Sequence, residues 1–329
     1  MNPEISAKRI LMLLPTSTYR AGAFMQAAEK LDLDVIVGSD HKQVLSSVVK
    51  DRTLYLPLWN AEKSLEEIEK FNQDYPLDAV IGVDEQSVVI ASLASEELGL
   101  PGNSSLAVQA TRDKYLMREM LLKGGTITPE FRLFDVDDDP EKVANSLEYP
   151  SVLKPLFLSM SKGVIKVDSR DECIEAFGKI RTILSSKESK KLGGESANFI
   201  LTEEFIEGIE VALEGIVING DLKTLAIFDK PDPLDGPYFV ETIYLTPSRF
   251  SRHAQERIIE TTQQSINALG ITTGPVHAEL RVNDGGVWMI EIAARSIGGL
   301  CSKVLRFENE MSLEERRVGQ ERPTGWRAR

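Results

Sequence analysis

Short apolar runs alternate with helical patterns through the first third of the chain. Apolar residues dominate three of these segments, each bounded by polar or turn-forming residues, which is typical of buried strands. Strands are predicted at 8–14, 33–37 and 77–83, and helices at 21–31, 64–71 and 86–98. Strands that alternate with helices indicate a parallel, doubly wound sheet, so we predict an α/β domain of that kind in residues 1–104.

The pattern after residue 104 is mixed. Helices are predicted at 105–123 and 252–269, and strands near Phe131, at 151–153 and through 198–245. This order indicates two α+β units in succession, which we place at 105–200 and 201–307.

The end of the chain has a different composition. Residues 315–329 contain five arginines, no lysine and one aliphatic side chain larger than alanine, that of Val318. Such a stretch has too few apolar residues to bury a face, so we predict that residues 308–329 are a disordered tail.

The clearest local signal is a β-hairpin between Gly274 and Gly299. Apolar and polar residues alternate on both sides of an Asn-Asp-Gly-Gly turn at 283–286, a strong hairpin signal. Because successive side chains of a strand point to opposite faces, the pattern places Met289 with Glu291 on one face and Ile290 with Ile292 on the other.

Alternation in the first strand of the hairpin exposes His277, Glu279 and Arg281 on one face. Glu279 and Glu291 would then share one side of the ribbon, where two carboxylates suit a hard cation such as Mg²⁺ that also binds phosphates. An ordinary hairpin with two solvated glutamates explains the same pattern.

Two lysines could bind phosphate groups. Lys154 follows an apolar strand, and the small loop Ser161-Lys162-Gly163 comes a few residues later, so backbone N–H groups and one point charge could clamp an anion. Lys114 opens a helix, where it could also reach an anion. Taken alone, each segment also fits a surface turn or a solvated helix face.

The segment Leu201–Glu210 (LTEEFIEGIE) could hold a nucleoside. The backbone from Glu203 through Glu204 to Ile206 could pair with an adenine edge, and Glu210 could accept hydrogen bonds from ribose hydroxyls. A strand or helix end with exposed acidic residues fits the same letters.

Composition restricts the class of protein. The formal net charge is −13 and the isoelectric point about 4.9, which argues against general binding of nucleic acids. Two cysteines, Cys173 and Cys301, fit a reducing compartment without a disulfide framework. The first apolar run, Ile10–Leu14, is too short for a signal peptide or a membrane span. We therefore expect a cytoplasmic protein without membrane partners. In addition, no GxGxxG motif follows the first strand, so the sequence lacks this dinucleotide-binding signal.

In this order, the segments resemble the ATP-grasp superfamily over residues 105–307. The resemblance depends on Lys114, on Lys154 with its loop, on EEFIEGIE, and on Glu279 and Glu291 with Arg295. The pattern HxE…IExAAR, followed by Gly-Gly, is most similar to the L-amino acid ligase and carnosine synthase branch. Residues 1–104 resemble the α/β domain that precedes the ATP-grasp fold. Such ligases continue past Arg295 with folded structure, so the Arg-rich end also suggests a C-terminal truncation.

The resemblance implies roles for the matched residues. Those expected at the nucleotide are Lys114 and Lys154 at the phosphates, Ser161, Lys162 and Gly163 in the covering loop, Glu203, Glu204 and Ile206 at adenine, and Glu210 at the ribose. Glu279 and Glu291 would bind Mg²⁺, or Mn²⁺ in its place. Ala293 stands where many family members have asparagine, so a second metal would have one ligand fewer.

Catalysis and substrate binding are assigned in the same way. Arg295 and Lys154 would be the catalytic cations, with Arg295 facing the transferred phosphoryl group or a substrate carboxylate. Residues expected near the substrates are Glu241, Lys230, His277, Gly298 and Gly299. Each of the first three also fits a structural role.

The resemblance predicts an ATP-dependent carboxylate–amine ligase that forms an amide or peptide bond through an acylphosphate. The resemblance implies small-molecule carboxylates and amines as substrates, amino acids among them, with ADP and phosphate as products. The alternatives are a nucleotide-binding protein without turnover and a biotin-carboxylase-like carboxylase. The sequence leaves the oligomeric state open, and a homodimer is compatible with it.

Overall fold

A computed structural model describes residues 8–320 apart from 17, 42–51, 300, 302–304 and 306–310. Its strands form three four-stranded sheets within these residues. The parts of the predicted tail at 308–310 and 321–329 lie outside the described residues.

The first sheet is parallel and has the strand order β3-β2-β1-β4. Its elements are β1 (Arg9–Leu13), α1 (Ala21–Lys30), β2 (Asp34–Ser39), β3 (Thr53–Tyr55), α2 (Ala61–Asp74), β4 (Ala79–Gly82) and α3 (Ser87–Glu97). Side chains of β1 alternate between two cores: Leu11 and Leu13 pack with α2 and α3, whereas Ile10 and Met12 pack with α1. Helices therefore cover both faces, which confirms the doubly wound α/β prediction.

The second sheet is antiparallel, with the order β5-β8-β6-β7, and we call it the lid sheet. Its elements are β5 (Phe131–Asp135), α6 (Pro140–Ser146), β6 (Ser151–Pro155), β7 (Ile165–Val167), α7 (Arg170–Leu184), α8 (Lys187–Gly193), a 3-10 helix (Gly194–Asn198) and β8 (Phe199–Glu204). The predicted boundary at 200/201 thus falls inside β8.

The third sheet, which we call the large sheet, is antiparallel with the order β10-β9-β11-β12. Its elements are α4 (Ser105–Ala110), α5 (Lys114–Lys123), β9 (Ile209–Ile218), β10 (Asp221–Asp229), α9 (Arg252–Leu269), β11 (Thr273–Asn283) and β12 (Gly286–Ala293). Residues of α4, α5 and α9 share one core with this sheet. The helices at 105–123, which the sequence assigns to the lid unit, therefore pack on the large sheet.

The hairpin forms as predicted, but its second strand departs from strict alternation. Glu279 pairs with Glu291 while the next residue, Leu280, pairs with Met289, so one extra residue of β12 forms a β-bulge. As a result Met289 and Ile292 are both buried in the core, and Ile290 and Glu291 both line a pocket. The predicted sharing of a face by Met289 and Glu291 is wrong, because the bulge shifts the side-chain phase by one residue.

The structure places a helix, α10 (Leu313–Gln320), inside the stretch predicted to be disordered. Leu313 is fully buried beside Ile297, and Val318 is buried against α1. Lys30 also pairs with Glu315 at 2.7 Å. Leu313 and Val318 are enough to dock this helix against the rest of the protein. The prediction of disorder was based on the small number of apolar residues and did not consider where they lie on a helix.

Among the described residues, no helix is both long enough and apolar enough to cross a lipid bilayer.

Candidate active site

A pocket lies between the lid sheet and the large sheet and contains most of the predicted nucleotide and metal residues. The predicted residues that line it are Lys154, Ser161, Glu203, Glu204, Ile206, Glu210, Glu241, Glu279 and Glu291. They come from β6, β8, β9, β11, β12 and three loops, so the fold brings together segments that are far apart in sequence.

Lys154 sits in the pocket wall within a buried group of charges. Its ammonium lies 2.5 Å from Glu203, and the same carboxylate accepts two hydrogen bonds from Arg118, at 2.8 and 3.2 Å. Burial lowers the pKa of Lys154, and the charge of Arg118 lowers it further against the opposing effect of Glu203. Burial alone would raise the pKa of Glu203, but the two cations outweigh it and lower that pKa. Glu203 is therefore a fixed anion that orients Lys154.

Lys114 reaches the same region from the start of α5. Its ammonium donates to the carbonyl of Leu158 at 2.9 Å and lies 3.4 Å from Glu291. Its backbone N–H donates to the carbonyl of Leu156 at 3.1 Å. Lys114 thus ties the base of the loop after β6 to the β12 carboxylate, although it does not itself line the pocket.

The predicted phosphate loop has an unusual backbone. Met160, Ser161 and Gly163 have positive φ angles of 57°, 54° and 78°. A side chain at Gly163 would also approach Pro155 to 2.9 Å, so this turn requires glycine. Ser161 lines the pocket, and the loop tip points outward, since Met160 is 95% exposed. Lys162 and Gly163 are in the loop but outside the pocket wall.

The predicted adenine segment begins in the last two residues of β8 and continues into the loop that follows it. The backbone N–H of Glu204 already donates to the carbonyl of Glu130 at 2.9 Å, and the Ile206 carbonyl accepts from Arg281 at 2.8 Å. A side chain at Gly208 would come within 2.4 Å of the Val282 carbonyl, and Gly208 has a φ of 125°. The chain can therefore turn tightly onto β11 and carry Glu210 into the pocket.

Three carboxylates surround the ammonium of Lys230. It lies 2.8 Å from Glu210, 3.1 Å from Glu279 and in contact with Glu241. Oxygens of these three acids lie within 4.8 Å of one another, so they could hold a metal ion. Burial would lower the pKa of Lys230, but the three anions raise it. The predicted pair is thus divided: Glu279 joins this cluster, whereas Glu291, directly opposite it in register, contacts Lys114.

His277 lies on the Glu279 face, as alternation predicts, and is buried between two acids. Its Nε2 atom is 3.5 Å from Glu279, and its Nδ1 atom is 3.3 Å from Glu214, an ion pair without hydrogen-bond alignment. Burial opposes protonation, but both carboxylates raise the pKa of His277 to about 9. Glu214 also accepts the Ile297 N–H at 3.0 Å. His277 therefore supports Glu279 from behind the pocket.

Arg295 does not point into the pocket but forms an ion-pair network with the N-terminal domain. Its guanidinium contacts Glu85, which follows β4, and Glu85 also contacts Arg112. Arg112 donates in turn to the carbonyl of Phe157 at 3.1 Å, two residues after the end of β6. One carboxylate therefore links the N-terminal domain to the large sheet and to the lid sheet.

The Glu85 network predicts a specific pH dependence of stability. Burial would raise the pKa of Glu85, but Arg295 and Arg112 lower it from 4.5 to about 2. Glu85 takes up a proton at higher pH in the unfolded chain than in the folded protein. The stabilising effect of the Glu85 charge is therefore complete above about pH 4.5 and is lost as the pH falls towards 2. Urea unfolding of wild type and Glu85→Gln should give a difference in unfolding free energy that is constant above pH 4.5 and shrinks below it. A difference that does not change with pH would contradict this.

Gly298 and Gly299, which the resemblance places near the substrates, lie in a turn that the N-terminal domain contacts. The N–H of Gly299 donates to the hydroxyl of Tyr19 at 2.6 Å, and a side chain at Gly298 would lie 3.6 Å from the same hydroxyl. Arg20, the next residue, donates to the carbonyl of Ser296 at 3.1 Å. The loop after β1 thus covers this turn, so the Gly299 N–H is already used.

Four charged residues that form ion pairs in the structure were given no site role from the sequence: Arg118, Glu85, Glu214 and Arg281. A signal existed for two of them. Arg118 follows Lys114 by four residues on one helix face, and Arg281 alternates with His277 and Glu279. Glu85 and Glu214 take their partners from other domains or strands, which local patterns do not reveal.

Two protein-family models match this chain. The ATP-grasp domain family matches residues 147–304, and the ATP-grasp N-terminal domain family matches residues 25–102, so the two matches cover well over half of the chain.

Several ligases are similar to this chain. Alanine–anticapsin ligase of Bacillus subtilis (strain 168) is 26% identical over 287 residues, covering 82% of this chain and 60% of that protein. Carnosine synthase 1 of Homo sapiens is 26% identical over 232 residues, covering 68% of this chain and 28% of that protein. The crystal structure of L-amino acid ligase from Bacillus licheniformis superposes with a TM-score of 0.76 at 26% identity, covering 94% of this chain and 73% of that one. The chain thus spans about three fifths of alanine–anticapsin ligase.

Proposed function

We propose that this chain, which belongs to the ATP-grasp family, is an ATP-dependent ligase that joins a carboxylate to an amine through an acylphosphate. The supporting observation is the single pocket that contains Lys154, the Glu203–Glu210 segment, Glu279 and Glu291. L-amino acid ligase and alanine–anticapsin ligase are named for amino-acid substrates, and we extend that substrate class to this chain. Its reducing, cytoplasmic location is part of the same proposal.

The nucleotide would lie along the pocket between the two sheets. Glu203, with the backbone of Glu204 and Ile206, would bind adenine, and Glu210 would accept hydrogen bonds from the ribose. Lys154 would contact the phosphates, since its ammonium is held at the pocket wall by Glu203. Lys114 stands behind Glu291 and would add positive charge.

The donor atoms fit a hard divalent cation. Glu279 and Glu291 are opposite each other, and the cluster of Glu210, Glu241 and Glu279 supplies only carboxylate oxygens and already surrounds the cation Lys230. When bound by Glu279 and Glu291, Mg²⁺, or Mn²⁺ in its place, would neutralise phosphate oxygens and act as a Lewis acid.

The reaction needs no nucleophilic side chain. A carboxylate oxygen of the substrate attacks the γ-phosphorus, and ADP leaves. The amine then attacks the acyl carbon, and phosphate leaves with one oxygen of the original carboxylate. The chain contributes by holding the reactants and by neutralising charge as it moves between oxygens.

Arg295 and Glu241, one of the carboxylates near Lys230, would contact the substrates. Arg295 would contact the transferred phosphoryl group or a substrate carboxylate once it leaves Glu85. Glu241, which contacts Lys230, would face the amino group of an amino-acid substrate.

Release of phosphate from Mg·ATP, measured against all pairs of the twenty common amino acids, tests the proposal. At least one pair should stimulate release, and Glu291→Gln should lower the stimulated rate because it removes one of the two opposed carboxylates. Glu260→Gln, an exposed change on α9, is the matched control and should behave as wild type. Binding of Mg·ATP without stimulation by any pair would favour a nucleotide-binding protein without turnover.

A further inference from the structure

Arg281 lies in the wall of the nucleotide pocket, yet its guanidinium forms hydrogen bonds with other groups of the protein. The residue is near the end of β11, directly opposite Glu210 of β9, and its side chain is 4% exposed. A buried arginine keeps its proton and therefore its charge. That charge needs hydrogen-bond partners on every side, and these partners set the position of the side chain.

The guanidinium of Arg281 joins three segments around the pocket. Its Nε donates to Glu210 at 3.1 Å, Nη1 donates to the Ile206 carbonyl at 2.8 Å, and Nη2 donates to the Leu234 carbonyl. These segments are the predicted ribose ligand, the predicted adenine segment and the loop after β10. All three contact the same planar group, so their relative positions are fixed by its geometry.

Two aromatic rings complete the surroundings of Arg281. Its guanidinium carbon lies 4.8 Å from the ring centre of Phe205 and 5.9 Å from that of Phe239. The rings themselves are stacked at 6.4 Å. The aromatic walls of the pocket and the hydrogen-bonded segments are therefore organised by one cation.

Glu210 divides its two oxygens between Arg281 and Lys230. Lys230 shares its ammonium with Glu241 and Glu279 as well, on a flexible side chain. Arg281 holds Glu210 through a rigid group that is fixed at two further points, so it determines where the free lone pairs of Glu210 point.

We propose that Arg281 is a positioning residue that gives the nucleotide site its selectivity for a ribose. It orients the Glu210 carboxylate towards the sugar hydroxyls and sets its distance from the adenine segment. This role rests on the proposed function, because it requires a nucleotide in this pocket. Arg281 itself does not contact the reacting atoms.

Calorimetric dissociation constants for Mg·ADP and Mg·2′,3′-dideoxy-ADP test the role without requiring turnover. Wild type should prefer Mg·ADP by about tenfold to a hundredfold, the range for hydrogen bonds to a charged group. In Arg281→Met the preference should fall towards one although Glu210 is still present. Arg281→Lys keeps the charge beside Glu210 but cannot hold both carbonyls, so it should show an intermediate preference. Arg252→Met, whose native side chain is 93% exposed, is the matched control and should keep the wild-type ratio.

The outcomes separate this role from the site itself. If Arg281→Met weakens both nucleotides equally and keeps the preference, Arg281 is merely structural and the proposal is overturned. If Arg281→Met does not fold, the folded Arg281→Lys variant decides the question. A wild-type ratio of its two dissociation constants would also overturn the proposal. A wild type that binds neither nucleotide would overturn the nucleotide site together with this role, whereas absence of ligase turnover would leave the binding result intact.

Discussion

Replacement of Glu203 by glutamine is expected to lower the free energy of unfolding by about 3–5 kcal/mol, the cost of breaking a buried ion pair from one side. Glu203 is the shared anion between Arg118 and Lys154, and the side chains of all three are almost completely buried. Glutamine would leave two cations close together without a counter-charge. Lys154 could lose its proton, because burial already lowers its pKa, but Arg118 could not.

The same substitution should also weaken Mg·ADP binding, since a neutral or displaced Lys154 no longer attracts phosphate. Urea unfolding in the absence of nucleotide and calorimetry with Mg·ADP measure the two effects separately. Glu204→Gln is the matched control, because Glu204 is the next residue of β8 and its side chain is exposed. Equal stability of Glu203→Gln and Glu204→Gln would contradict the account of the buried charges.

Replacement of Arg295 by alanine is expected to lower kcat by about 10²–10³, or 2.7–4 kcal/mol of transition-state stabilisation, by analogy with other electrostatic contacts to a developing charge. Burial disfavours its charge, but Glu85, Glu291 and Glu214 outweigh it and raise the pKa of Arg295, which therefore remains a cation. The KM for ATP should change little, because Arg295 does not line the nucleotide pocket.

Arg112→Ala is the matched control for Arg295→Ala. Arg112 contacts the same carboxylate of Glu85, so its loss opens the same network between domains but leaves Arg295 in place. We expect kcat to fall far less in this variant. Equal losses of kcat in both variants would show that Arg295 acts only through the domain contact.

Local patterns predicted most of the helices and strands and one face of the candidate site, but not the helix α10. Alternation in β11 correctly placed His277, Glu279 and Arg281 together, because that strand is regular and pairs on both sides. Alternation gave a wrong result in β12, where a bulge at Ile290 shifts the side-chain phase between Met289 and Glu291. A bulge is decided by how the pair of strands packs, so a single strand's letters do not show it.

The partners of the buried charges could not be predicted in the same way. Glu85 lies more than two hundred residues from Arg295 in sequence, and their contact depends on how the N-terminal domain docks on the large sheet. Glu203 could be assigned to the pocket from its segment, but its pairing with Arg118 requires the packing of α5 against β8. The sequence therefore predicted many of the residues that line the candidate pocket, whereas the ion pairs among them depend on tertiary contacts.

Transfer of a labelled oxygen tests the acylphosphate mechanism most directly. A substrate carboxylate labelled with ¹⁸O is incubated with Mg·ATP, the amine and the protein, and the released phosphate is examined by mass spectrometry. Each phosphate released should carry one ¹⁸O atom, because a carboxylate oxygen attacks the γ-phosphorus. Amide formation that yields unlabelled phosphate would contradict it.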